Sequence, residues 1–170
     1  DVYKRQVTRF SPNPDFVLHL GSARAILLSY DYAKMCDGMF LLRFEDTDSK
    51  TKKPQLEYYE AVRKDMEWLG CKWDAEYIQS DRLEIYYELA EKILKTGGAY
   101  VCTCVRETFQ EKTKTGQCCP CRELSVDENL VRWNKMLDGT YNEGEAVVRV
   151  KTELNHPNPA AVSYTHLTLP

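Results

Sequence analysis

The apolar positions of the chain alternate between two spacings, and the changes of spacing predict its elements. Residues 7–10 (VTRF) read as the end of a short strand. Ser11-Pro12-Asn13-Pro14-Asp15 follows as a loop, because each proline disfavours helix in the residue before it. Ala23, Ile26, Leu27, Tyr30 and Ala33 then recur at helical spacing and predict a helix over about 21–35, ended by Asp37-Gly38. The run Met39-Phe40-Leu41-Leu42-Arg43-Phe44 is nearly all apolar, as a buried parallel strand requires. These pieces form a β-loop-α-β unit, for which a right-handed parallel pair is expected. After a polar loop over 45–54, Leu56, Tyr59, Val62, Met66 and Leu69 mark one side of a second helix closed by Gly70. A third helix, over about 83–96, turns Tyr86, Tyr87, Ala90, Ile93 and Leu94 inward, with Gly97-Gly98 behind it. Residues 99–103 predict a strand, 126–137 a helix, and 146–150 (AVVRV) a strand. The tyrosines at helical spacing (Tyr59, Tyr86, Tyr87) belong to the core rather than to a base-stacking platform.

A length of 170 residues suits one domain, or one domain with an insert. With 43% hydrophobic and 29% charged residues, the composition excludes a disordered or collagen-like chain. No apolar run approaches the length of a bilayer span, and DVYKRQ at the start lacks the apolar centre of a secretory signal. A cytoplasmic location without a membrane partner is therefore expected. The net charge of −3 argues against indiscriminate adhesion to nucleic acid but leaves room for a local basic groove.

The two ends read differently from the rest. The nucleotide string GATGTGTATAAGAGACAG, a transposon-end adapter used in sequencing libraries, translates to DVYKRQ. Its reverse complement, in another frame, begins V-S-Y-T-H, and the chain ends VSYTHLTLP. Residues 1–6 and 162–170 are accordingly expected to be translated adapter and are set apart from the fold. Residues 7–161 are expected to be a gene fragment, inactive alone. Its half-built parallel sheet is expected to fold marginally, with an unpaired edge.

Seven cysteines are many for an intracellular chain, and an odd number does not complete a disulfide framework. Five lie within 102–121, a crowding that suggests a metal site in a reducing compartment. Cys36 and Cys71 stand apart and fit buried apolar roles.

Three segments could carry other chemistry. His19-Leu20-Gly21-Ser22 stands where a loop becomes a helix, and the free N–H groups of a helix start attract phosphate. A glycine there admits a close approach to the backbone, and a histidine can donate to a phosphate oxygen as charge builds. The competing reading is a helix-start histidine satisfied by local backbone. Arg43-Phe44-Glu45-Asp46-Thr47-Asp48 sets three carboxylates past the carboxyl end of a buried strand, where open α/β sheets bind ligands. Such a carboxylate suits an ammonium group or a ribose hydroxyl; ordinary turn chemistry is the alternative. Arg9, at the tip of the first strand, suits a carboxylate ligand or an ion pair with a nearby acid. Neither G-x-G-x-x-G nor G-x-x-x-x-G-K-[ST] occurs, so a dinucleotide fold and a P-loop are not indicated.

Taken in order, Thr8-Arg9-Phe10-Ser11-Pro12-Asn13-Pro14, His19-Leu20-Gly21-Ser22-Ala23-Arg24 and Arg43-Phe44-Glu45-Asp46-Thr47-Asp48 resemble the glutamyl-tRNA synthetases, most closely their archaeal and eukaryotic-like branch. Trp68-Leu69-Gly70, Gln79-Ser80-Asp81-Arg82, Gly98-Ala99-Tyr100-Val101-Cys102-Thr103-Cys104 and Gly144-Glu145-Ala146-Val147-Val148-Arg149 continue the likeness, which covers nearly all of 7–161. The resemblance implies an α/β fold: a Rossmann-like class I synthetase catalytic domain, here an incomplete parallel sheet with flanking helices, plus a small zinc-binding insert. It divides the chain into an N-terminal half of the catalytic domain (7–98) and a connective insert (99–161).

The resemblance also implies roles. His19 and Gly21, with Ser22 beside them, belong to the HIGH signature that binds ATP and stabilises its phosphates. Ser22 replaces the final histidine of that signature, as is usual in this branch. Arg9, Asn13 and Glu45 would form part of the glutamate site, with Arg9 on a carboxylate and Glu45 on the ammonium group. The implied reaction joins glutamate to ATP as glutamyl-adenylate, releases pyrophosphate, and passes the acyl group to the tRNA 3′ end. Positioning and electrostatics would carry it, with Mg²⁺ held mainly by the phosphates. The implied partners are glutamate, ATP and tRNA-Glu, with tRNA-Gln as a further substrate in some relatives, and a monomeric state.

Cys102-Thr-Cys104 and Cys119-Pro-Cys121 give two thiol pairs suited to tetrahedral Zn²⁺. The family has a zinc insert of this pairing, often with histidine in the last position. Cys118 is the spare and is able to replace Cys119; the alternative is a vestigial insert with free thiols. Lys50, Lys52 and Lys53 form a basic loop suited to tRNA phosphates or simply to solvent. The nearest rivals are glutaminyl-tRNA synthetase, which the resembling pattern disfavours at Glu45 and Asp48, and a relative that glutamylates a modified tRNA base. A non-enzymatic zinc-containing RNA-binding module is the rival of another class. The second ATP-binding loop, the rest of the amino-acid pocket and the anticodon-binding domain are expected beyond Ala161.

Overall fold

A computed structural model describes residues 5–48 and 51–154, together with the backbone of 166–167. The chain forms two compact units, 1–83 and 84–170. Of the segments expected to be adapter, 1–4, 162–165 and 168–170 lie outside the described residues, as do Lys50 and 155–161.

In the first unit, β1 (Val7–Phe10), α1 (Leu20–Met35), β2 (Met39–Phe44), α2 (Leu56–Trp68) and β3 (Ala75–Ile78) follow one another, and a 3-10 turn at Ser80–Arg82 closes the run. The strands form one parallel sheet in the order β1-β2-β3. The expected parallel pair is present, with Arg9 opposite Leu41 and Phe10 opposite Leu42. Alternation along β2 buries Phe40, Leu42 and Phe44 on one face. Ile26 and Ala33 of α1 and Val62 and Met66 of α2 pack on that same face. Each fully buried side chain of this kind contributes roughly 1.5–3 kcal/mol, so the layer is held chiefly by apolar burial. Leu27, expected inward, is instead 39% exposed, because the buried stripe of α1 runs through Ile26, Tyr30 and Ala33. β1 pairs with β2 alone among the described residues, which leaves the open edge foreseen from the sequence.

α1 ends as the sequence suggests, but with the two residues in different roles. Asp37 takes the left-handed conformation (φ 48°), while the Gly38 N–H returns to the Ala33 carbonyl at 2.8 Å. Gly38 is glycine because of close approach: a Cβ there would stand 2.0 Å from the carbonyl oxygen of Gln6. β3 escapes the sequence pattern because Glu76 interrupts it. That carboxylate is held by Arg63 of α2, Nη2 to Oε1 at 2.6 Å.

The second unit holds α3 (Leu83–Lys95, which begins at the boundary), β4 (Ala99–Cys102), α4 (Arg106–Lys114), a 3-10 turn at Pro120–Glu123, α5 (Val126–Leu137), β5 (Val147–Val150) and β6 (His166–Leu167). Its sheet is antiparallel, β4-β5-β6. One face, through Ala99, Val101 and Val148, packs against Ala90 and Leu94 of α3 and Trp133 of α5. This packing puts α3 in the second unit. The other face, through Tyr100 and Cys102, meets the cysteines. Buried Asn129 of α5 ties the two elements: its Oδ1 accepts from Val101 N at 2.7 Å, and its Nδ2 donates to the Leu124 and Ser125 carbonyls. Ser125 and Glu128 start α5 with a reciprocal capping box.

Candidate functional site

In the first unit the parallel order brings the carboxyl ends of β1 and β2 side by side. The loop after β1, the start of α1 and the loop after β2 therefore share one end of the sheet, where open α/β sheets bind ligands. A backbone hydrogen bond from Glu45 N to the Pro12 carbonyl (2.9 Å) ties the two loops together.

His19 is the N-cap of α1, in extended conformation, and its Nδ1 accepts from Gly21 N at 3.0 Å. This bond places the proton of the neutral ring on Nε2, which leaves a donor available at an exposed helix start. A Cβ on Gly21 would meet the His19 ring at 2.8 Å, so the glycine is what lets the imidazole cap its own helix. His19 and Gly21 are exposed, and Ser22 is half-buried.

Glu45 is half-buried and accepts from Arg43 Nη2. Asn13 Oδ1 and Ser11 Oγ are buried with no partner among the described residues, and so is Arg43 Nε. Orphaned buried polar atoms of this kind cost about 1–3 kcal/mol each, and a polar ligand would satisfy them. Arg9 is exposed and makes no ion pair among the described residues. It shares a sheet face with Arg43, opposite the helices. The structure thus gathers Asn13 and Glu45 through their loops, and sets His19 and Arg9 at the same sheet end.

The other two acids have structural uses. Asp46 accepts from Ser80 N (2.9 Å), Ser80 Oγ (2.6 Å) and Tyr59 OH (2.9 Å), fastening the loop after β2 to α2 and the 3-10 turn. Burial, then the Asp46 carboxylate, raises the Tyr59 hydroxyl well above the usual tyrosine range. Asp48 closes a turn onto Thr51, N to Oδ1 at 3.0 Å. Asp48 thus makes a local turn, whereas Asp46 joins segments far apart in the chain.

In the second unit, Cys102, Cys104, Cys119 and Cys121 bring their sulfurs within 4.8 Å of one another. Cys102 and Cys119 stand 3.8 Å apart, and Cys104 and Cys121 3.7 Å. Four sulfurs set tetrahedrally about a zinc ion at about 2.3 Å lie about 3.8 Å from one another, so the thiols fit such an ion. Cys118 is half-buried and lies outside the four. β4 supplies Cys102, the turn after it Cys104, and the 3-10 turn Pro120–Glu123 with the residue before it supplies the second pair. Burial pushes the Cys102 thiol up, and burial with the charge of Cys102 pushes Cys104 to about 12. Burial acts in the same sense on Cys121. There it is outweighed by hydrogen bonds from the Thr103 backbone and Arg132, so that thiol falls to about 7. Sequence spacing had no means of finding Arg132, whose Nη1 lies 3.3 Å from Cys121 Sγ.

No helix among the described residues is long and apolar enough to cross a membrane. Residues 6–164 match the family described as tRNA synthetases class I (E and Q), catalytic domain. The chain is 57% identical over 163 residues to the glutamate–tRNA ligase of Thermococcus kodakarensis, and 56% to that of Pyrococcus furiosus. Each match covers 96% of this chain and 28% of the relative, so the chain spans little more than a quarter of their length. A crystal structure of a glutamate tRNA ligase from Elizabethkingia meningosepticum, in complex with its amino acid, superposes with a TM-score of 0.62 at 29% identity. That superposition covers 88% of this chain and 33% of the other. By sequence motif, by parallel βαβ architecture and by this match over most of its length, the chain belongs to the class I tRNA synthetases for glutamate and glutamine, within their catalytic domain.

Proposed function

We propose that the chain is the nucleotide-binding portion of a glutamate–tRNA ligase, and that the whole protein forms glutamyl-adenylate from glutamate and ATP before charging tRNA-Glu. The observation that carries this reading is the sheet end shared by the His19 helix start and the Asn13 and Glu45 loops, with buried polar atoms lacking partners. ATP would lay its phosphates against the start of α1, where the N–H groups and His19 Nε2 offset the growing negative charge. Glu45 would hold the glutamate ammonium group, Arg9 a carboxylate, and Asn13 would complete its hydrogen bonds with the same ligand. Mg²⁺ would come with the nucleotide, held by its phosphates.

Residues 99–161 are then the connective insert of the family, with zinc held by Cys102, Cys104, Cys119 and Cys121. The ion would brace β4 and the two turns that supply the thiols, a structural service rather than a step in the reaction. The exposed Lys52 and Lys53 are available to tRNA phosphates. A monomer working in the cytoplasm agrees with this reading, and the division of 7–98 from 99–161 remains its functional description. The test is pyrophosphate exchange into ATP by the full-length protein, with tRNA present. Glutamate should support exchange and glutamine should not; exchange with glutamine alone, or with neither, overturns the reading.

A further inference from the structure

Two arginines from outside the C-x-C pairs converge on the sulfur cluster of the second unit. Arg132 reaches it from α5. Its Nη1 lies 3.3 Å from Cys121 Sγ, 3.3 Å from the Val101 carbonyl and 3.4 Å from Thr103 Oγ1. One guanidinium thus joins the last strand residues, the turn after them and a thiol. Arg149 comes from β5, opposite Tyr100 in the antiparallel pair, and so lies on the sheet face that carries Tyr100 and Cys102. Its guanidinium stacks on Phe109 of α4, 3.5 Å from the ring centroid, while its Nε is buried without a hydrogen bond.

The charges explain the convergence. Four thiolates around a divalent ion carry a net charge of two minus. Cys102, Cys119 and Cys121 are buried, and an uncompensated charge in such surroundings is strongly disfavoured. Two guanidinium groups supply the matching two plus. Arg132 gathers three acceptors at its Nη1, and Arg149 lies flat on an aromatic face, as a planar guanidinium does and an ammonium group does not.

We propose that Arg132 and Arg149 are the positioning residues and counter-charges of the four-thiolate metal centre, Arg132 on the Cys121 side and Arg149 on the Cys102 side. This rests on the zinc reading given above. Both residues act through the thiolates, and neither touches the ion.

The test uses the purified chain under reducing conditions, with zinc affinity read by competition with a chromophoric chelator. Co²⁺ substitution supplies the sulfur-to-metal charge-transfer band. Arg132→Gln and Arg149→Gln should each weaken zinc binding about 10–100-fold, the usual effect of losing a partner of a metal ligand. Each should also move the charge-transfer band, which a merely structural residue would not do, and Arg132→Lys should recover part of the affinity. Should Arg132→Gln fail to fold, Arg149→Gln carries the test, because it leaves the hydrogen bonds of Arg132 in place. A wild-type chain that binds one zinc, with Arg149→Gln matching it in affinity and spectrum, overturns the inference. A wild-type chain that binds no zinc overturns the metal reading itself, and the inference falls with it.

Discussion

A Cβ on Gly21 would stand 2.8 Å from Cε1 and 3.0 Å from Nδ1 of His19. The two residues of the signature therefore work as one unit: the glycine clears the space in which the imidazole caps the helix. Gly21→Ala should force the ring out of that position. Alanine favours helix over glycine by about 1 kcal/mol, which offsets the lost cap. We expect thermal unfolding to stay within a few degrees of wild type. Turnover by the full-length protein should fall on the order of 10²-fold, as for the loss of one preorganised charge-stabilising donor. Equal losses of stability and turnover would count against this division of roles.

The sulfur cluster excludes Cys118, and that exclusion is testable. Metal content of purified protein should stay at one zinc per chain in Cys118→Ser and drop towards zero in Cys119→Ser. The reverse pattern would mean that the pairing of the second turn differs from the one described.

Asn129 is the buried polar residue on which α5 and β4 depend. Asn129→Ala leaves the Val101 N–H buried and unpaired, a loss of about 1–3 kcal/mol. Thermal denaturation should show the second unit melting several degrees lower, with the first unit unaffected. An unchanged melt would show that the bond carries no net stability.

The capping box gives a pH dependence with a definite sign. The backbone N–H of Ser125, and then its hydroxyl, hold the Glu128 carboxyl below its ordinary range. A carboxyl depressed in the folded state stabilises above its unfolded pKa, about 4.3. That contribution disappears as pH falls from there through the folded value. Acid unfolding of Glu128→Gln should accordingly be less steep than that of wild type below about pH 4.5, with the two curves parallel near neutrality. Parallel curves throughout the acid range would contradict the capping role.

The strands and helices with uniform apolar periods were legible in the sequence. β1 and β2 lie where the pattern put them, and α1, α2, α3 and α5 agree with it to within a residue or two at their ends. β3 was missed because its alternation is broken by Glu76, whose burial is made tolerable by Arg63 on another element. α4 was missed because RETFQEKTK offers one large apolar residue, Phe109, and so no stripe. The candidate site shows the same limit. The chain order of Arg9, His19, Gly21 and Glu45 pointed to a common sheet end, since short βαβ connections leave few alternatives. Asp46 could not be told from Glu45 by position, because its partners Tyr59 and Ser80 are 13 and 34 residues away. The cysteines announced themselves by spacing, whereas Arg132 and Arg149 are related to them only through packing.

The helix start at His19 is the proposed seat of the ATP phosphates. The most direct measurement is glutamate-dependent pyrophosphate exchange by the full-length protein, with tRNA present, comparing wild type with His19→Ala. Exchange by the variant should fall about 10²–10³-fold with the fold intact by circular dichroism. Exchange at the wild-type rate in the variant would contradict it.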